Sequence, residues 1–271
     1  MNNFNNMILI TKEKINFLKS LPEYADSRLA QINSKIDNSQ DLELHTILQI
    51  GIAMNIYFKS LIKSLETKNI IAANILLRSI VESFINIEYI MKEDQQKRSA
   101  IFSLEDFKNR KINLETIKEL LRAKLNDARI TLELSSKKKC NEQLKKIKSE
   151  EDNILSILKN DYRIVIEESE KRIPSVEQRA INAGLKNIYD ILYRQLCWTT
   201  HLNSTGLKQL IKYENDKYII APQDIEEETK KIIPIAYSIQ LKTIEDIMKK
   251  FNLYIEEDFK AMENILKKLQ I

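Results

Sequence analysis

The sequence predicts an all-α fold, a multi-helix bundle with a projecting charged helical hairpin. Glycine and proline number only 3 and 4 in 271 residues, against usual frequencies of roughly 7% and 5%, so residues for tight turns between strands are scarce. Apolar residues recur at three- and four-residue intervals, the period of a helix buried along one face. A content of 43% apolar and 30% charged residues suits a chain with a substantial core and a solvated outer face. The formal net charge is +4 with both signs interspersed, which permits an acidic partner without arguing for one. Two distant cysteines argue against a disulfide framework and for a reducing compartment. No uninterrupted apolar run reaches the ~20 residues of a membrane span, and the start Met1-Asn-Asn-Phe lacks a secretory pattern. The expectation is a cytoplasmic protein with no membrane attachment.

Taken in order, 7–36 reads as a helix interrupted near Pro22, with Leu18, Leu21, Leu29 and Ile32 among its apolar points. A polar break follows at 38–41, where Ser39 or Asp41 can cap the next helix. That helix, about 42–66, is apolar on more than half its circumference, and Gly51 within it is either a sign of close approach of another helix or incidental. His45 near its start is most simply a surface histidine. Residues 69–91 leave few polar positions, and Asn74, Arg78, Glu82 and Asn86 fall four apart. A helix apolar nearly all round is a central one, so this stripe is expected to be partly buried. Arg78 and Glu82 then form either an ion pair that sets helix register or part of a functional charge network.

A shorter helix is expected at 94–110. From 111 to 171 the composition turns rich in Lys, Glu and Asp over a narrow apolar stripe, the pattern of a helical hairpin inserted into a single domain whose core is about 40–110 and 172–271. Its tip is placed at 135–141, where the lysine run is either a solvated turn or a phosphate contact. Ile173-Pro-Ser-Val-Glu-Gln178 is a helix start, with Ser175 as cap, Gln178 closing a capping box and Gly184 ending the helix. A minor β-hairpin near 211–220 alternates around Asn215 and Asp216. A long helix covers 223–250, with Pro234 kinking it or starting its second half, and an amphipathic helix closes at 254–271.

The chemistry-bearing stretch is the helix expected at 185–202. Its core face is Leu185, Ile188, Tyr189, Leu192, Leu196 and Thr199. Arg194 and His201 lie off that face, two turns and about 10 Å apart, near the line of Asn187, Asp190 and Trp198. The sequence has no phosphate-cradling glycine loop and no zinc-ligand spacing, so no cofactor or metal is expected. Cys197 is either a buried free cysteine or a thiol nucleophile one turn before His201. Histidine can take a proton from a ribose hydroxyl or give one to a leaving oxygen. Arginine can hold the scissile phosphate and steady its added charge. The plain alternative is a solvent-facing stripe with Asp190 and Arg194 as an ordinary ion pair.

Arg194-(six residues)-His201 resembles the Arg-x(4–6)-His motif of the HEPN superfamily, helical proteins that often act as ribonucleases in toxin–antitoxin and phage-defence systems. A wider likeness joins Leu76-Leu-Arg-Ser-Ile-Val-Glu-Ser-Phe84, Pro174-Ser-Val-Glu-Gln-Arg-Ala and Leu192-Tyr-Arg-Gln-Leu-Cys-Trp-Thr-Thr-His-Leu-Asn-Ser204. Together they are similar to a prokaryotic helical family of unassigned function that pairs an Arg-x-x-x-Glu helix with a later Tyr-Arg-x-Leu-Ser…His-Pro/Gly-Ser segment. Cys197 stands where that family has serine, and Leu202-Asn203 where it has Pro or Gly. The likeness covers roughly 40–215 and implies a shared cluster of Arg78, Glu82, Arg194, His201 and Ser204. The expectation is a HEPN-like, metal-independent endoribonuclease of the toxin, abortive-infection or phage-defence type. His201 and Arg194 would be catalytic, with Arg78, Glu82, Asn203 and Ser204 in support. RNA, an antitoxin or other protein partner, and a second copy in a homodimer are the expected partners. The alternative is a non-catalytic helical module whose Arg/Glu/His cluster is structural.

Overall fold

The computed structural model describes residues 2–35, 42–122, 137–161, 165–166, 173–200, 211–214, 217–220 and 225–269. The protein is an all-α bundle. Two compact units divide it, one of residues 1–92 with 175–271 and one of residues 93–174. Ser39, Asp41, His201, Asn203, Ser204, the hairpin turn Asn215-Asp216 and the hairpin-tip residues 135–136 lie outside the described residues.

The first unit is built on α1 (Asn2–Lys35), α2 (Leu42–Glu66) and α3 (Ile70–Lys92). Contrary to the interruption expected at Pro22, α1 runs through it. Proline holds a helical φ, so what it loses is one hydrogen bond and some steric room, about 3 kcal/mol in an exposed helix. Here Leu18, Leu21 and Ala25 around it are fully buried, and that burial offsets the loss. Asn55 of α2, itself buried, donates to the Pro22 carbonyl at 3.1 Å and to Asp26 at 2.7 Å. Its own carbonyl accepts from Gln240 at 3.1 Å. One amide thus joins three helices, since Gln240 belongs to α9 (Ile225–Lys250). Gly51 marks the same convergence. A Cβ there would meet Ile247 Cδ1 at 3.0 Å and Leu29 Cδ2 at 3.4 Å, so close approach of neighbouring helices is what needs the glycine.

Central α3 packs against α2, α6 (Val176–Ala183), α8 (Arg194–Thr200) and α9. By length and composition alone it could cross a membrane, yet Leu77, Ile80, Val81, Ile85, Ile87 and Ile90 are buried inside the protein. α6 has the expected caps. The Ser175 side chain accepts from the Gln178 N–H, and Gly184 ends the helix at φ 78°. The capping box is not completed as expected: the Gln178 amide turns forward and donates to Asn182 at 2.9 Å. A short α7 (Lys186–Ile188) follows, then a π-turn (Tyr189–Tyr193), then α8. β1 (Ile211–Glu214) and β2 (Lys217–Ile220) pair antiparallel, Tyr213 opposite Tyr218. α9 passes through Pro234, as α1 does through Pro22. α10 (Glu256–Leu269) lies on α9 and α1, where Tyr24 and Tyr254 pack on Phe259 and Arg28 pairs with Asp258.

The second unit pairs α4 (Gln95–Arg122) with α5 (Lys137–Asp161). α4 does not stop at 110, because Leu104, Phe107 and Leu114 continue one buried stripe across that point. Arg110 reaches Glu150 at 3.4 Å across the pair. Lys137, Lys138 and Lys139 belong to the first described turn of α5, next to a buried Cys140.

Between α3 and α9, the Glu88 and Asp246 carboxyl groups are neighbours, one oxygen of each is buried with no donor among the described residues, and Lys242 is bound to Asp246 at 2.6 Å. Burial first, then the Asp246 charge, pushes the Glu88 carboxyl up to about 7, while Lys242 and Lys92 pull the other way. The folded chain therefore holds this proton more tightly than the unfolded one. The associated stability is present below the ordinary glutamate range and is lost as the pH rises through about 7. Discounted for partial solvent access, the loss is ~1–2 kcal/mol. Glu88→Gln keeps a donor toward Asp246 but has no proton to lose. Its melting temperature should exceed the parent's at pH 8 and fall less between pH 5 and pH 8. Equal slopes for the two proteins would show that Glu88 does not control this dependence.

Candidate functional site

The polar stripe of α3 is where the distant segments meet. Its burial is uneven: Asn74 is half-buried, Arg78 and Glu82 are partly open, and Asn86 is buried. Arg78 and Glu82 are only loosely paired along the helix, at 3.8 Å. Tyr193 of the π-turn closes the gap. Its hydroxyl donates to Glu82 Oε2 at 2.8 Å and accepts from Arg78 Nη2 at 3.0 Å. The Arg78 guanidinium also lies 5.2 Å from the Tyr193 ring centroid, a cation–π distance. On the other side, Arg179 of α6 places Nη2 3.6 Å from Glu82 Oε1, with its side chain only 7% exposed. One carboxylate therefore engages two guanidinium groups and a phenol.

The electrostatics follow from that arrangement. Burial, reinforced by the Glu82 charge, pushes the Tyr193 phenol well above its ordinary range, so the hydroxyl remains a donor. Burial opposes the charge on Arg78, but the neighbouring Tyr193 hydroxyl and Cys197 outweigh that and raise its pKa above the ordinary arginine value. Cys197 is thus half-buried against an arginine rather than sealed in an apolar core.

The local backbone explains how Tyr193 gets there. The Arg194 N–H donates to the Tyr189 carbonyl five residues back, so this turn holds one residue more than an α-turn. One extra residue rotates everything downstream by about 100° relative to an unbroken helix. The buried positions are accordingly Tyr193 and Leu196, while Leu192 is only half-buried. An unbroken 3.6-residue period over 185–202 puts Leu192 in the core and Tyr193 outside it, and the extra residue of the π-turn reverses the two. The Tyr189 and Tyr193 rings stack at 5.4 Å.

Arg194, next in sequence, turns outward. Its side chain is 57% exposed and touches Asp190 at 3.5 Å. Asp190 is engaged more closely by Lys186, at 2.8 Å, and that bond holds the aspartate below its usual range. The sequence-predicted residues thus fall into two sets. Arg78 and Glu82 meet each other through Tyr193. Arg194, about 100° further round the helix, is exposed outside this cluster, and no bond joins Arg194 to Glu82 among the described residues. His201, Asn203 and Ser204 lie outside the described residues. Tyr193 and Arg179 are the participants that periodicity missed. Both lie within segments singled out above, beside Arg194 and after Gln178, but nothing in their spacing marks them as partners of α3.

Removing the Tyr193 hydroxyl tests the cluster. Tyr193→Phe keeps the ring and deletes a hydrogen bond to a charged group, and should cost about 1–2 kcal/mol of unfolding free energy in urea. Glu82→Leu withdraws the carboxylate from a buried arginine and should cost more, about 2–4 kcal/mol. A Tyr193→Phe protein as stable as the parent would mean the bond does not hold the π-turn.

No curated protein and no solved structure matches the chain. Residues 51–219, more than half its length and including every member of this cluster, match a family of unknown function (DUF5677), and the chain belongs to that family.

Proposed function

We propose that the protein is a HEPN-like, metal-independent endoribonuclease of prokaryotic toxin or abortive-infection type, active as a homodimer in the cytoplasm and restrained by a protein partner. The observation that carries this reading is the opposed placement of Tyr193 and Arg194. Tyr193 is anchored inward on Glu82 and Arg78, so the outward guanidinium of Arg194 is displayed from a held turn. A positioned, weakly engaged arginine suits recognition of a phosphodiester, whose non-bridging oxygens match the guanidinium fork.

In the reaction, His201 takes the proton from a ribose 2′-hydroxyl as O2′ attacks the adjoining phosphorus. The bond to the 5′ oxygen breaks, and the proton is returned to that oxygen. The products are a 2′,3′-cyclic phosphate and a 5′-hydroxyl end. Arg194 binds the non-bridging oxygens and steadies their charge as the phosphorus becomes five-coordinate. Arg78 and Glu82 act through Tyr193 as positioning residues. Asn203 and Ser204 are proposed donors to the substrate.

A second reading, a non-catalytic helical module, is favoured by the inward saturation of Glu82, both of whose oxygens are engaged within the protein. Expression and cleavage separate the two. With end-labelled RNA in excess chelator, the parent protein should leave cyclic-phosphate ends. Arg194→Ala and His201→Ala should each lower the rate by roughly a hundredfold or more with unchanged melting temperature, and relieve growth arrest. Undiminished cleavage or toxicity in both variants rejects the assigned roles. A parent protein that neither arrests growth nor cuts RNA leaves the module.

A further inference from the structure

We propose that the outward face of the π-turn and α8 is a platform for single-stranded RNA, with one unstacked base lying on Trp198 and the adjoining phosphate held by Arg194. This rests on the ribonuclease reading and names the form of its substrate. Ile191 is 67% exposed and Trp198 40% exposed, with Arg194 between them. Ile191 belongs to the π-turn, whereas Arg194 and Trp198, four residues apart, both belong to α8 and share one helical face. Within α8, Arg194 and Trp198 are one turn apart, about 5–6 Å between Cβ atoms. The opposite side of the segment is fastened by buried Tyr193 and Leu196, so the platform rests on packed structure.

An exposed indole beside an open guanidinium is the pairing that single strands use. The ring stacks on a base whatever its identity, and the cation takes the phosphate. A duplex keeps its bases stacked on each other, so only a single strand, loop or bulge can offer one to Trp198. Lys186 occupies Asp190 at 2.8 Å, whereas Arg194 lies at 3.5 Å from it, so a phosphate oxygen competes easily for the Arg194 fork. A protein partner is less well matched. Two apolar side chains separated by Arg194 and Gln195 make a stripe too narrow for the ~800 Å² per partner of a stable interface.

Trp198 is the only tryptophan in the chain, so tryptophan emission, excited selectively beyond the tyrosine absorption band, reports on this face alone. The full-length His201→Ala protein, which would leave RNA intact, is titrated with a short oligouridylate and with a duplex RNA of equal length. The single strand should quench the emission saturably, and the duplex should bind at least tenfold more weakly. By anisotropy of the labelled oligonucleotide, Trp198→Ala should weaken binding roughly ten- to a hundredfold, and Trp198→Phe should restore part of it. Arg194→Ala should weaken binding and flatten its salt dependence. RNA that is bound or cleaved by the parent with no change in tryptophan emission overturns the platform and leaves the ribonuclease reading standing. Emission that shifts with protein concentration alone, matched by a dimer in sedimentation, assigns the face to a second copy and also overturns it. Absence of both RNA binding and RNA cleavage removes the platform together with the function it rests on.

Discussion

A carboxylate on the central helix constrains everything around it. Glu82 stands on α3, packed by α2, α6, α8 and α9, with its side chain 32% exposed, so leaving it without partners costs less than for a fully buried ion and more than at an open surface. Its own helix supplies only Arg78, at 3.8 Å. The remaining partners, Arg179 and Tyr193, arrive from segments about a hundred residues later. Satisfying Glu82 therefore joins α6 and the π-turn to α3. The π-turn follows from the same demand. Tyr193 and Leu196, three residues apart, share a face by ordinary α geometry, and the residue taken up in the π-turn rotates that face, relative to the segment before it, into the buried position.

Other polar groups follow the same rule at other helix crossings. Asn55 joins α1, α2 and α9 with three hydrogen bonds, close to where Gly51 lets those helices approach. Glu88 and Asp246 meet between α3 and α9. Apolar contacts alone tolerate sliding of one helix past another, whereas a directional bond between buried polar groups is lost by a shift of an ångström or two. Each of these ties thus selects one helix register from several of similar apolar burial. The Glu88 pair differs in carrying a proton near neutrality, so its contribution depends on pH where that of Asn55 does not.

The segment after Gly184 divides its duties by side. Tyr193 and Leu196 face inward and are held. Ile191, Arg194 and Trp198 face outward and are open. Both readings of the polar stripe, a structural network and a charge site, concern Arg78 and Glu82, and both oxygens of Glu82 are engaged within the protein. Arg78, Glu82, Arg179 and Tyr193 form a network whose bonds are internal. Arg194 and Trp198 are exposed to solvent.

The helical class, the caps at Ser175 and Gly184 and the central standing of α3 were all determined by the sequence. Each depends on interactions within a few residues or on a periodic pattern, and such signals are local. Pro22, the join at 110 and Gln178 misled for the same reason, since local rules cannot weigh the burial that carries a helix through a proline or the competing partner four residues on. The residues of the cluster were half legible. Arg78 and Glu82 stood out because charges on an apolar helix are conspicuous, whereas Arg179 and Tyr193 look like ordinary surface residues until α3 is placed beside them. Only the tertiary structure decided the π-turn, and with it which way Tyr193 and Arg194 point. An inserted residue leaves no mark in the apolar period of so short a segment, and its cost is repaid by a bond to a helix far away in sequence.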